Sequence, residues 1–400
     1  MASMERAVIV DALRTPIGRY GGALRDVRPD DLAALVVHEA VQRNRLDPAG
    51  IEDVYFGDAN QAGEDNRNVA RMAVLLAGLP VEIPAATMNR LCGSGMQAVV
   101  AATREIETGN GSCFLAGGVE SMTRAPYILE KPRREFARGS QTLHDSTLGW
   151  RMINPRLAEK YPPISLGQTA EVVARRYAIG REAQDRWALD SHRKALAAQT
   201  SCHFRNELVA VPLPDGATLE KDEGPRADTS LEKLASLKPA FEKDGTVTAG
   251  NSSPLNDGAA CLVLMADSHA QALGIRPLAR ILAAASAGVD PSCMGLGPIP
   301  ASRKALTRAG LTARDLDCIE LNEAFASQVL ACIRDLDLDP DRVNPNGGAI
   351  ALGHPLGASG ARIIATLVHE LARRKARYGL ATMCIGVGQG ISTVVENLVR

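Results

Sequence analysis

The sequence predicts an α/β fold of two similar units interrupted by a long insertion, on three observations. The first is composition. Of 400 residues, 46% are hydrophobic and 23% charged, the balance of a soluble globular chain, and that length exceeds the usual size of one hydrophobic core. Aromatics make up only 4% while alanine and glycine are abundant, which suits helices packed tightly on sheets. The second is an imperfect internal repeat. Leu46 to Gly57 leads from a helix into a strand, and Leu311 to Asn322 has the same texture. The third is a pair of glycine-rich helix openings at nearly the same separation, Leu91-Cys92-Gly93-Ser94-Gly95 and Gly353-His354-Pro355-Leu356-Gly357.

In chain order, Ala7-Val8-Ile9-Val10 reads as a strand, and the Cys92 loop opens an amphipathic helix from Met96 to Thr108. Thr123 to about Asn251 differs in kind. It holds Pro-rich and charged loops such as Lys131-Pro132-Arg133-Arg134 and Asp222-Glu223-Gly224-Pro225-Arg226. It also holds a helical stretch from Thr169 to Gln199, in which Val172, Val173, Ala174 and Tyr177 recur with helical spacing. Long inserted segments of this kind are usually functional. Gly258 to Met265 reads as a strand returning the chain to the first unit. Asp317 to Leu321 and Leu380 to Met383 read as strands of the second, and Arg362 to Arg374 as its helix, with Pro355 suited to a helix's first turn. The expected division is 1–122 with 252–274, an inserted loop domain at 123–251, and 275–400.

A formal charge of −1 gives no global attraction to nucleic acid or an anionic membrane, so neither is an expected partner. No run of eighteen apolar residues occurs, so no spanning helix is expected. Met1-Ala2-Ser3-Met4 runs straight into a strand-like segment, and on this reading no signal peptide precedes it. Asn397-Leu398-Val399-Arg400 is not a peroxisomal tripeptide. The eight cysteines form no CxxC pair, so no disulfide framework or zinc site is signalled, and a reducing cytoplasm is expected.

Four residues stand out for chemistry. Cys92 precedes a helix, where unpaired N–H groups and the dipole favour thiolate, although a lone cysteine is more often simply buried. His354 sits between Gly353 and Pro355 at a loop-to-helix junction, where an imidazole can be held in a crowded place. Cys384 lies in Met383-Cys384-Ile385-Gly386-Val387-Gly388, where alternating glycines after a strand expose backbone N–H groups that can hold an oxyanion. Asn322 follows a strand and begins a helix, a position whose ordinary occupant is an N-cap.

Taken together, Cys92-Gly-Ser-Gly, Asn322-Glu-Ala-Phe325, Gly353-His354-Pro355 and Cys384-Ile-Gly386, in this order, resemble the thiolase family. Arg14-Thr15-Pro16-Ile17-Gly18, Gly117-Gly118-Val119-Glu120-Ser121-Met122 and Gly250 to Ala260 extend the resemblance to essentially the whole chain. It implies a five-layered α-β-α-β-α sandwich of duplicated units with two mixed sheets and an inserted loop domain. The implied activity is ping-pong cleavage or formation of 3-oxoacyl-CoA through an acyl-Cys92 intermediate. His354 would take the Cys92 proton, and Cys384 would act as acid and base at the α-carbon of acetyl-CoA. Asn322 would hold a water that, with His354, stabilises the enolate, while the N–H groups of Cys92 and Gly386 would hold the tetrahedral oxyanion.

Along the CoA path the resemblance matches Arg226 to an arginine packed on adenine and Ser253 and Ala249 to pantetheine contacts, with Leu166 and Phe325 facing the same site. CoA and acetyl-CoA enter as substrates; no tightly bound cofactor or metal is implied. The resemblance also implies a homodimer, and beyond it a tetramer of two dimers. One departure is Ser165-Leu166-Gly167, where many acetoacetyl-type thiolases carry His-Met-Gly, which puts strict acetoacetyl-CoA specificity in doubt. Ala59 to Met72 looks like the version found in 3-oxoadipyl-CoA thiolases, where charged residues could recognise a distal carboxylate or pack at a dimer interface. The acyl chain stays open between acetoacetyl-CoA, longer 3-oxoacyl-CoAs and 3-oxoadipyl-CoA. The rival readings are a decarboxylating ketosynthase, against which Cys384 argues, and a non-catalytic CoA- or lipid-binding relative. A cysteine hydrolase finds no supporting signature.

Overall fold

The computed structural model describes residues 5–399. Met1-Ala2-Ser3-Met4 and Arg400, on which the readings of the two chain ends partly rest, lie outside the described residues. The first unit runs β1 (Ala7–Arg14), α1 (Pro29–Asn44), β2 (Asp53–Gly57), α2 (Val69–Leu76), β3 (Ala85–Met88), α3 (Ser94–Glu107) and β4 (Cys113–Ser121). The intervening region contributes α4 (Leu166–Arg176) and α5 (Arg181–Thr200), and β5 (Asn256–Ala266) follows it. The second unit runs β6 (Ala279–Gly288), α6 (Pro298–Ala309), β7 (Cys318–Leu321), α7 (Ala326–Leu336), α8 (Leu356–Arg374), β8 (Tyr378–Ile385) and β9 (Gln389–Asn397).

The duplication is visible in the strand pairing. The first half-sheet has the order β3-β2-β4-β5-β1, and the second the order β7-β8-β9-β6. β2 is parallel to β3 and β4, as β7 is parallel to β8; β5 and β9 then pair antiparallel in both halves. The place of β3 in the second half is taken by one parallel bridge, Ile319–Val343. β1 and β6 even carry a bulge at corresponding places, between Ile9 and Asp11 and between Ile281 and Ala283.

The two half-sheets are not separate, as the resemblance implied. β1 pairs with β6 antiparallel, at Val8–Arg280 and Ile9–Ala279, so one continuous sheet crosses the pseudo-twofold axis. Each half would otherwise present an unpaired edge there, and pairing removes both. The five layers are present. α1 and α2 cover one half over a core that includes Val36, Phe56 and Leu115. α6 and α7 cover the other, and α3 and α8 fill the middle, packed against strands of both halves.

The middle layer is thin because its helices start backbone to backbone. A Cβ on Gly95 would fall 2.6 Å from the Gly357 carbonyl oxygen, and one on Gly360 would fall 2.3 Å from the Met96 nitrogen. Gly118 on β4 completes the contact, its Cβ direction ending 2.1 Å from the same Gly357 oxygen. Only glycine fits such approaches.

The segment read as one helix from Thr169 to Gln199 is two. Ala178 turns left-handed (φ 51°) after α4, and α5 restarts behind Gly180. Apolar periodicity alone does not reveal a break when both helices bury faces in one groove. The segment between β4 and β5 is tied to β1 and α8 by a buried arginine. Arg14 on β1 pairs with Glu207 at 2.5 Å and Asp222 at 2.7 Å, and Thr366 of α8 donates to Glu207 at 3.2 Å. Removing one member of such a pair typically costs ~3–5 kcal/mol, because its partner stays buried and uncompensated. Among the described residues, no helix is long and apolar enough to cross a membrane.

Gly118→Ala should lower stability by ~1–3 kcal/mol or more, since a backbone oxygen cannot step aside. Gly50→Ala, with open space around its Cβ direction, should stay within about 0.5 kcal/mol. Denaturant melts of the two variants check this; equal stability would mean the middle layer has slack.

Candidate active site

Cys92 lies in the tight loop between β3 and α3. Leu91 before it is left-handed (φ 47°), a conformation that costs a branched residue roughly 1–3 kcal/mol and persists only when neighbours over-determine it. They do. The Leu91 N–H donates to Asn89 Oδ1 at 2.9 Å, and Ser94 Oγ donates to the Leu91 carbonyl at 2.5 Å while accepting from the Arg90 N–H at 2.9 Å. The helix proper starts at Ser94 with Gly93 as its N-cap, so Cys92 stands just outside it.

This position changes the acid–base reading. The thiol was expected to favour thiolate, but burial pushes it up to about 11, and the Glu120 carboxylate adds to the rise. The N–H groups of Gly386 and of Cys92 itself point at the sulfur and pull the other way without overcoming burial. Gly386 reaches the sulfur because it opens the three-residue turn between β8 and β9.

His354 follows Gly353, whose backbone (φ 115°) only glycine adopts readily. Asn256 at the start of β5 fixes the loop, accepting from the His354 N–H at 2.9 Å while its own Nδ2 donates to the Gly18 carbonyl at the same distance. The ring's tautomer follows from its partners. Ser359 Oγ donates to the Pro355 carbonyl at 2.8 Å, so it accepts from His354 Nδ1 at 2.6 Å, and Nδ1 carries the proton. Nε2 is left with its lone pair, facing the Asn322 Nδ2 at 3.4 Å. Burial, followed by the Arg362 charge, depresses His354 to about 3, so the imidazole is neutral and Nε2 is its acceptor nitrogen.

Asn322 is not the helix cap its sequence position suggested. α7 begins four residues later with Phe325 as N-cap, and a loop intervenes. The buried Glu323 carboxylate holds that loop, accepting from Trp187 Nε1 (3.0 Å), Ser191 Oγ (2.7 Å), Asn344 Nδ2 (2.9 Å) and the Ile350 N–H (3.1 Å). Asn322 Oδ1 is buried with no hydrogen-bond partner among the described residues. Cys384, near the end of β8, is buried, and burial together with the neighbouring Cys92 raises its thiol well above the ordinary range.

Cys92, His354, Cys384 and Gly386 all line one cavity of about 210 Å³, with Ser253, Leu166 and Phe325 in its wall. Phe325 meets Phe241 edge-on at 6.1 Å. A larger compartment of about 410 Å³ shares Cys92, Leu166 and Gly386 with it and extends past Trp150 and Arg151. Ala249 and Arg226 are exposed and line neither compartment; the Arg226 N–H donates to His192 Nδ1 at 3.2 Å. The sequence reading missed Ser359 and Asn256, which set the orientation of His354, and Trp150 and Arg151. Ser359 had a local signal, five residues after the histidine on the first turns of α8. The others come from segments far away in the chain and carried none.

Comparison with known proteins finds similarity along almost the whole chain. Residues 7–268 match the family model described as "Thiolase, N-terminal domain", and residues 275–397 match "Thiolase, C-terminal domain". The chain is 52% identical to the 3-oxoadipyl-CoA/3-oxo-5,6-dehydrosuberyl-CoA thiolase of Escherichia coli K12, over 99% of this chain and 100% of that one. It is 53% identical, at the same coverage, to the beta-ketoadipyl-CoA thiolase of Pseudomonas aeruginosa. Among solved structures it is similar to the Bacillus anthracis acetyl-CoA acetyltransferase (TM-score 0.94, 43% identity, 100% of both chains). It is also similar to human mitochondrial 3-ketoacyl-CoA thiolase in complex with CoA (TM-score 0.93, 41% identity, 99% of both chains).

With the histidine at about 3 and the thiol at about 11, the proton count of the pair is constant between those limits. The reactive thiolate is a small fraction that grows with pH below the thiol's value, so alkylation of Cys92 by iodoacetamide, followed by peptide mass spectrometry, should climb about tenfold per pH unit from pH 5 to 9. His354→Asn, which replaces a ring that is neutral over that range, should keep the same slope. A wild-type rate that titrates sigmoidally between pH 6 and 8.5 would contradict the assignment.

Proposed function

The chain belongs to the thiolase family, and on that premise we propose how its residues divide the work of the reaction. The protein is an enzyme, an acyltransferase acting on CoA thioesters. The observation that carries the proposal is that the two thiols, the Nε2 lone pair side of His354 and the Gly386 N–H converge on one cavity.

In the cleavage direction His354 Nε2 takes the Cys92 proton as the sulfur attacks the 3-oxo carbon. The oxyanion formed on that carbon accepts from the Cys92 and Gly386 N–H groups. As the bond between C2 and C3 breaks, its electron pair moves into the thioester of the departing acetyl-CoA. The resulting enolate oxygen is held by His354 and a water on Asn322, whose buried and unpartnered Oδ1 is suited to fix it. The Cys384 thiol delivers its proton to C2, and acetyl-CoA leaves. The Cys384 thiolate then takes the proton of incoming CoA, whose sulfur attacks the acyl-Cys92 thioester. His354 returns its proton to Cys92, and both thiols end as they began. Synthesis is the same sequence reversed. Burial of both thiols supports these roles, because neither is a standing thiolate that would react before its partner arrives.

The substrate in this reading is 3-oxoadipyl-CoA, cleaved to acetyl-CoA and succinyl-CoA. Support comes from the specificity in the names of the Escherichia coli and Pseudomonas relatives, and from the absence of the acetoacetyl-type His-Met-Gly at Ser165-Leu166-Gly167. CoA acts as substrate, with Leu166, Ser253 and Phe325 along its pantetheine end and Arg226 and Ala249 at its outer end. The 123–251 region forms much of that path in this proposal. Association into a homodimer, with a tetramer beyond it, and a cytoplasmic location complete it.

Mass spectrometry after mixing with acetyl-CoA should show an acyl adduct on wild type and on Cys384→Ala, and none at this site on Cys92→Ala. Cys384→Ala should lose about a hundredfold or more in thiolysis. Wild-type turnover by that variant would remove Cys384 from the carbon–carbon step. Across a panel of 3-oxoacyl-CoAs, 3-oxoadipyl-CoA should give the highest kcat/KM, and a preference for acetoacetyl-CoA would overturn the substrate reading.

A further inference from the structure

The larger compartment beside Cys92 is lined by apolar side chains, backbone and neutral polar groups, with one exception. Arg151 is the sole charged side chain in its wall. The residue is half-buried, and Nη1 makes one long contact, 3.5 Å to the Ser146 carbonyl. Among the described residues it forms no ion pair, while some other cavity-facing arginines are neutralised. Arg28 and Arg124, for instance, both pair with Glu64. A guanidinium left with most of its donors free, facing a cavity that opens on a nucleophile, is arranged for an anionic group carried by the acyl chain.

The segment Ala59 to Met72, the sequence's own candidate for this task, does not supply the charge. Only Ala59 and Asn60 reach the compartment. Glu64 is taken up by its two arginines, Asp65 is buried, and Arg67 lies outside. Arg67 does line an adjoining depression together with Arg151, so the far end of the acyl compartment is positive on both sides.

We propose that Arg151 is the specificity-determining residue that binds the distal carboxylate of a dicarboxylic 3-oxoacyl chain while Cys92 engages the 3-oxo carbon. Its guanidinium takes the carboxylate in a two-pronged contact, and Trp150 and Leu148 enclose the intervening methylenes. In the acyl-enzyme the same contact holds the free carboxylate of the succinyl group. A substrate of equal length ending in a methyl group leaves the guanidinium in a partly dry pocket without its counter-ion. This is the kind of mismatch by which buried polar groups discriminate strongly. The inference rests on the thiolase chemistry and the 3-oxoadipyl reading given above.

The test compares kcat/KM for 3-oxoadipyl-CoA and 3-oxohexanoyl-CoA, which differ only in carboxylate against methyl at the chain end. Wild type should prefer the carboxylate. Arg151→Gln should lower the ratio by about 10- to 100-fold through loss on 3-oxoadipyl-CoA, and Arg151→Lys, which keeps the charge without the fork, should retain part of it. Near-UV circular dichroism and a thermal melt confirm that each variant is folded. If wild type prefers 3-oxoadipyl-CoA and Arg151→Gln keeps that preference, or loses equally on both substrates, Arg151 is not the carboxylate site. If wild type itself shows no preference, the substrate reading fails and takes this inference with it.

Discussion

The site depends on how closely the first turns of α3 and α8 approach. These two helix starts carry Cys92 and His354, and they meet at van der Waals distance only because Gly95 faces the Gly357 carbonyl and Gly360 faces the Met96 backbone. Gly118 on β4 and the Glu120 carboxylate close the same junction from the sheet side, Glu120 accepting from the Gly357 N–H at 2.7 Å and from the Ala59 and Asn60 N–H groups at 3.0 and 3.1 Å. Any side chain in this seam would part the two units. The duplication thus gives each copy a helix start, and the absence of side chains lets Cys92 of one copy share a cavity with His354 of the other.

Burial then sets the proton chemistry, and it acts in opposite directions on the two partners. It disfavours thiolate at Cys92 and imidazolium at His354, so the resting pair is neutral. In the proposed reaction an ion pair would form only as a substrate carbonyl brings charge for the Cys92 and Gly386 N–H groups to stabilise. The Ser359 hydroxyl contributes by locking the Nδ1–H tautomer, which leaves Nε2 as the acceptor. Such an arrangement suits an enzyme whose covalent intermediate must survive until a second thiol arrives, because water and stray electrophiles meet no ready nucleophile.

The inserted region gives the site its walls. Arg14 fixes it to β1 and to α8 through a dry charge network, and Glu171 fixes α4 to the 240s loop by accepting the Thr246 and Val247 N–H groups, each at 2.7 Å. With those anchors in place, Trp150, Arg151, Leu166 and Phe241 line the two compartments that meet at Cys92. The proposed chemistry thus draws on the repeated core, and the proposed choice of acyl chain on the region between its two halves.

Much of this was legible in the residues alone. Glycine-rich helix starts, strand-to-helix corners and a repeat with nearly constant separation are short-range patterns that pointed to the two-unit α/β fold, and their order along the chain, by its resemblance to thiolases, singled out Cys92, Asn322, His354 and Cys384 as candidates. The tertiary structure decided what depends on distant segments meeting: the β1–β6 pairing that makes one sheet of two, the break between α4 and α5, and the Asn256 bond that orients His354. It also reversed the expected thiol acidity, because a helix start read in sequence shows the N–H groups but not the desolvation that comes with burial. Arg151 belongs to the same class. A charge on a loop is solvated by default, and only the fold shows that this one has a cavity in front of it and no anion of its own.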